Sequence, residues 1–156
     1  MSTNFKKMKK SLLILLSIFL LGSLSAQDLP KEVQKVFDKA EKHAKKKEYI
    51  EALAAYKEVL RSMEHVPSLI GAGDVQFYRK PPMYTSATEF YGRAIAALDA
   101  GIAGTDKKSV KKVMENKKAE IVPRFNKSKS HAKDFNKSKS LKQDGNRLLD
   151  DPDLKE

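Results

Sequence analysis

Apolar residues return at every third or fourth position through most of this chain, and nowhere do they alternate with the period of two that a half-buried strand requires. Val33, Val36, Phe37, Ala40 and Ala44 form the first such stripe. Pro30 suits a first helical turn, and Asp28 stands before it as a candidate cap. Lys45-Lys46-Lys47-Glu48 interrupts the stripe and predicts a turn. Tyr49, Ala52, Leu53, Tyr56, Val59, Leu60 and Met63 form the second stripe, which should stop before Pro67. A third helix is expected over 68–78. Leu69, Ile70, Ala72 and Phe77 give it an apolar side, and Gly71 and Gly73 allow another helix to come close. Pro81-Pro82 ends it. A fourth is expected over 85–98, with Ala87, Phe90, Tyr91, Ala94, Ile95 and Leu98 inward and Gly101 and Gly104 as terminators. Thr105 or Asp106 can cap a fifth, which carries Val110, Val113 and Met114. The pattern predicts an all-α fold.

Two of these stripes repeat each other. Tyr49-Ile50-Glu51-Ala52-Leu53-Ala54-Ala55-Tyr56 matches Tyr84-Thr85-Ser86-Ala87-Thr88-Glu89-Phe90-Tyr91, thirty-five residues later. A period in this range marks a helical repeat array. Beyond Pro123 the pattern thins. Phe125-Asn-Lys-Ser-Lys-Ser130 recurs ten residues on as Phe135-Asn-Lys-Ser-Lys-Ser140. One aromatic per ten residues among lysines and serines buries little surface. This segment is expected to be a solvated helix or weakly ordered.

Helix pairs with Ala and Tyr at these positions resemble the tetratricopeptide repeat family. That family places a small residue in the first helix of a pair, another twelve positions later in the second, and an aromatic four positions after that. Ala40, Ala52 and Tyr56 fit the pattern. Gly73, Ala87 and Tyr91 fit it again, with two extra residues in the Pro81-Pro82 loop. The resemblance implies an antiparallel α-solenoid of about two repeats over 27–122. It implies that the first helix of each pair lines a concave groove. Gln34, Phe37, Glu41, Ala44 and Lys45 from the first repeat, and Ile70, Asp74, Phe77 and Tyr78 from the second, then become the candidate partner-binding residues. Residues 123–156 form a basic C-terminal segment. Its Leu141, Gly145, Leu148 and Leu154 resemble the start of a further repeat, although Val122-Pro123 departs from the family pattern where a third period would place its second helix.

The first 26 residues stand apart. Lys6, Lys7, Lys9 and Lys10 precede an almost wholly apolar run from Leu12 to Leu21, and Gly22, Ser23, Ser25 and Ala26 follow. This order predicts a secretory signal peptide over 1–26, too short in its apolar part to be the roughly 20-residue span of a bilayer. The chain has no cysteine, so disulfides and a lipid-modified cysteine are excluded. An exported domain without disulfides points to the bacterial cell envelope, periplasmic or outer-membrane-associated.

Charge divides the remainder. The whole chain carries 31 basic and 20 acidic residues. Residues 27–104 hold 12 and 11 of them, and residues 105–156 hold 15 and 9, so nearly all the excess of residues 27–156 lies in their C-terminal part. That distribution suggests a second role, attraction of the C-terminal segment to an anionic surface or polymer. Nucleic acid would suit the charge but not an exported chain.

Catalytic chemistry finds no constellation. His43, His65 and His131 lie too far apart in sequence to share a helical turn, and without cysteine a metal cluster has no basis. No Gly-Lys-Ser/Thr loop follows a strand, and the serines 128, 130, 138 and 140 sit among lysines with no base beside them. The expectation is therefore a non-catalytic interaction scaffold without cofactor or metal. Its partner would be an envelope protein or peptide held in the groove. The alternative is a basic adhesion module acting through the C-terminal segment.

Overall fold

The computed structural model describes residues 29–149, with side chains through residue 143. The expected signal peptide and the last part of the expected further repeat lie outside the described residues. Five helices follow one another: α1 (Lys31–Lys45), α2 (Tyr49–Ser62), α3 (Val66–Tyr78), α4 (Tyr84–Ala103) and α5 (Lys108–Leu149). The fold is all-α. Connections of three to five residues separate them, lengths that fold one helix back on the one before. Each helix packs against the next, and α1 also touches α3. Among the described residues no helix is long and apolar enough to cross a membrane.

The α1–α2 turn is closed by hydrogen bonds in a pattern that stops a helix sharply. Glu48 N–H donates to the His43 carbonyl at 3.0 Å, and Lys47 N–H donates to the Ala44 carbonyl at 3.0 Å. Lys47 takes φ of 62° at the position where this motif usually places glycine. Helix α3 starts at Val66, two residues before the expected Ser68. Pro67 falls in its first turn, where the missing N–H would have had no helical partner anyway. Helix α4 runs through Gly101 and ends at Gly104, whose N–H closes on the Ala100 carbonyl at 2.9 Å. Ile102, packed against the core, outweighs the roughly 1 kcal/mol that an interior glycine costs.

The core has two parts. Ala40, Ala52, Ala55, Tyr56, Leu69, Ala72, Val75, Phe90 and Ala94 join α1 to α4. Ala87, Tyr91, Leu98, Met114 and Ile121 join α4 to α5. Val113 is 68% exposed. The packed stripe of α5 runs Val110, Met114, Ile121, Phe125, and Val113 lies nearly a quarter turn off it.

The largest departure is α5, 42 residues long and continuous through Pro123. Sequence reasoning places a boundary there because proline removes one helical hydrogen bond and crowds the preceding turn. Packing overrides this. Ile121 before the proline and Ser128 and Ala132 after it are all buried. Phe125 lies against Gly92, so close that a Cβ there would stand 3.4 Å from the ring. Ser128 Oγ accepts from Thr88 Oγ1 at 3.0 Å and donates to the Phe125 carbonyl at 2.9 Å. His131 stacks on Tyr84 with centroids 4.7 Å apart. The first copy of the ten-residue echo is thus docked on α4. From Lys133 to Gln143 every side chain is exposed.

Limited trypsin digestion should follow this division. Cleavage is expected first at Lys133, Lys137, Lys139 and Lys142, leaving a resistant product that retains residues 124–132. Early cleavage at Lys127 or Lys129, at the rate seen beyond Lys133, would contradict the docking of that stretch on α4.

Candidate functional site

Three helices turn polar and apolar stripes toward one open groove of about 730 Å³. Helix α1 contributes Phe37, Glu41, Ala44 and Lys45. Helix α3 contributes Ile70, Asp74 and Tyr78, one turn apart along a single face. Helix α5 contributes Lys117, Glu120 and Arg124. Lys47, Tyr49, Tyr56, Val66, Pro67, Gly71 and Val75 complete the walls.

Seven of the nine residues singled out from the sequence therefore meet at one site. Two do not. Gln34 lies outside the groove lining, where its Nε2 donates to Asp38 Oδ1 at 2.7 Å. Phe77 is turned away toward α4 and α5. Its ring lies 5.0 Å from Tyr78 and 5.6 Å from Tyr84, and Lys127 Nζ stands 5.7 Å from its centroid. It is packed against the α4–α5 core rather than presented as an anchor. Phe37 does line the groove, but it also leans on Tyr56 at 6.2 Å and meets His65 edge-on at 4.9 Å. Tyr78 is 55% exposed at the groove mouth.

All six repeat-packing residues, Ala40, Ala52, Tyr56, Gly73, Ala87 and Tyr91, are buried. The reason is steric. A Cβ on Gly73 would stand 2.6 Å from Cε1 of Tyr91, and one on Gly71 would stand 2.3 Å from Cζ of Tyr56. Glycines two apart lie on nearly opposite flanks of a helix. Helix α3 is therefore gripped by the α2 tyrosine on one side and the α4 tyrosine on the other.

Each ring then delivers its hydroxyl to the groove floor. Tyr56 Oη donates to Glu41 Oε1 at 2.5 Å, and Tyr91 Oη donates to Asp74 Oδ1 at 2.6 Å. Glu41 follows Ala40 in sequence as Asp74 follows Gly73, so the two pairs occupy equivalent places. Asp74 gains a second partner from α5, with Arg124 Nη1 at 3.1 and 3.2 Å from its two oxygens. Arg124 Nη2 also reaches Glu120 at 3.2 Å, and Lys117 reaches the other Glu120 oxygen at 2.9 Å. The Lys117 hydrogen bond, aided by Arg124, holds the Glu120 carboxyl below its usual range. Lys45 and Lys47 form no ion pair among the described residues, so that end of the groove is the positive one.

Sequence reasoning missed the α5 wall. Lys117, Glu120 and Arg124 recur at helical spacing beside the Met114, Ile121, Phe125 stripe. That shared spacing across Pro123 was the available signal.

A serine–histidine contact also exists. His65 Nδ1 lies 2.8 Å from Ser68 Oγ. Ser68 is fully buried, so no substrate reaches it, and the pair ties down the start of α3. Burial lowers the His65 pKa. Among the described residues no three His, Asp or Glu side chains come together as a metal site. The chain has no significant match among models of known families, curated proteins or solved structures.

The two buried tyrosines set a pH dependence. Burial, reinforced by the Glu41 and Asp74 carboxylates, pushes both hydroxyls well above their ordinary pKa. Below about pH 10 the folded and unfolded chains both hold these protons, and the contribution to stability is complete. Above it the unfolded chain releases them while the folded chain does not, so stability falls as pH rises. Denaturant titrations from pH 8 to 11 should show this loss, and a Tyr56→Phe/Tyr91→Phe variant should show a shallower one. Equal slopes for the two proteins would place the hydroxyls in solvent.

Proposed function

We propose that this chain is a non-catalytic interaction scaffold of the bacterial cell envelope, exported by its first 26 residues, and that the groove takes up a segment of a partner protein or peptide. In this reading α1–α2 and α3–α4 are successive helix pairs of a tetratricopeptide-like solenoid, and α5 adds the next wall. The observation that supports it is the convergence of Phe37, Glu41, Ala44, Lys45, Ile70, Asp74 and Tyr78 on one open groove. Those residues were chosen by repeat register alone.

The groove's chemistry suits a peptide. Phe37, Ala44, Val66 and Ile70 offer apolar contact, and the exposed Tyr78 ring offers the kind of aromatic anchor that dominates protein contacts. Asp74 and Glu120 are neutralised within the groove by Arg124 and Lys117. Lys45 and Lys47, which form no ion pair among the described residues, favour a partner segment with acidic residues at that end.

Site-specific photocrosslinking in envelope extracts tests this reading. A crosslinking residue at Ile70 or Tyr78 should yield a discrete polypeptide adduct. The same residue at Glu58, exposed on α2 outside this groove, should not. Tyr78→Ala should weaken the Ile70 adduct without lowering thermal stability. Adducts of equal yield from Glu58 and Ile70 would remove the groove from the account.

A further inference from the structure

Between Lys133 and Gln143, no side chain of α5 is buried against a neighbour among the described residues. From Lys133 to Leu149 an overhang of α5 extends about 25 Å past Ala132. Its described side chains are all exposed. From Lys133 to Leu149 the sequence holds Lys133, Lys137, Lys139, Lys142 and Arg147 against Asp134 and Asp144, and none of the four lysines forms an ion pair among the described residues. Lys127 and Lys129 in the docked copy of the echo lie over the Phe77 and Phe125 rings at 5.7 and 5.6 Å. The four lysines of the overhang have no such contact among the described residues.

Their placement selects a class of partner. Lys133 and Lys137 are four apart and share one flank. Lys139 and Lys142 are three apart and share another, roughly 170° around the helix. A helix is about 10–12 Å across, more than the roughly 8 Å over which charge acts at physiological salt. A flat surface would meet one pair and leave the other screened. The exposed Phe135 and Leu141 also fail to make a bilayer face. They are 65% and 62% exposed, but six residues apart and therefore about 120° away from each other. Single-stranded nucleic acid is gripped by rows of aromatic rings, and Phe135 is the one ring exposed between Lys133 and Gln143. A flexible chain of negative groups without bases can bend around the helix and reach both flanks.

We propose that the overhang of α5 is a docking rod for a flexible linear polyanion. The site is separate from the groove, whose α5 residues end at Arg124. Like charges at Lys133 and Lys137 repel along the helix, and a bound polyanion removes that repulsion. Binding and helix stability in the overhang are therefore coupled.

Linear inorganic polyphosphate is the probe. Anisotropy titrations with the purified protein should give binding whose log–log salt dependence has a slope of roughly −3, as expected for four neutralised charges. Far-UV ellipticity at 222 nm should deepen on binding. Replacing Lys133, Lys137, Lys139 and Lys142 together with Gln should weaken binding by about tenfold or more at low salt. A variant with the same loss of charge elsewhere, Lys31, Lys39, Lys57 and Lys108→Gln, should bind as the parent does. Equal weakening in both variants would reduce the effect to net charge and overturn the proposal. So would tighter binding to an oligonucleotide of equal charge, or to vesicles rich in anionic phospholipid. Crosslinking in the groove is unaffected by the overhang substitutions, so the two readings fail separately.

Discussion

The position of α3 depends on two tyrosine rings that occupy space left by two glycines. Tyr56 of α2 closes on Gly71, and Tyr91 of α4 closes on Gly73. Neither ring has room to shift, because each is almost fully buried and its hydroxyl is held by a carboxylate. The interlock fixes how deeply α3 sits between its neighbours. It thereby fixes which face of α3, the one carrying Ile70, Asp74 and Tyr78, remains for the groove. Packing and polarity are linked in one side chain here. The ring supplies the core contact, and its hydroxyl reaches Glu41 or Asp74 on the groove floor.

Asp74 carries this order one helix further. It accepts Tyr91 from α4 and Arg124 from α5. A half-buried carboxylate with two donors holds the groove's third wall in register with the second. The same stretch of α5 is pinned on its other side by the Phe125–Gly92 contact and the Thr88–Ser128 hydrogen bond. These contacts explain why a helix crosses Pro123. The lost hydrogen bond at the proline is offset by apolar and polar packing on both sides of it, and local propensity yields to tertiary structure.

Much of this was legible because helical spacing and repeat register are written directly in residue order. Tyr56 and Tyr91, their small partners, and the faces of α1 and α3 all followed from the period. Phe77 was misassigned because register places a residue on a face but does not say which neighbour claims an aromatic ring. Tyr84 and the start of the α4–α5 core drew it away. Gln34 was carried one turn too far along α1, past the groove end. The α5 wall is hidden in the sequence because residues 105–132 do not repeat the earlier pattern and Pro123 reads locally as a stop. The core-facing positions 114, 121, 125, 128 and 132 keep helical spacing straight through it. The overhang shows the converse. Its second copy of the ten-residue echo has the sequence of the docked copy, yet α4 ends its reach at Ala132, so identical residues meet solvent.

The interlock is tested most directly by a double-mutant cycle between Gly73→Ala and Tyr91→Leu, read by chemical denaturation. Alanine is a better helix former than glycine by about 1 kcal/mol, so Gly73→Ala would stabilise α3 if nothing stood against it. With Tyr91 in place the substitution should instead destabilise the protein by roughly 1–3 kcal/mol. With Leu at position 91 the clash is gone, and the same substitution should cost nothing or stabilise. The same cost in both backgrounds, or a gain with Tyr91 present, would mean that the ring does not set the position of α3.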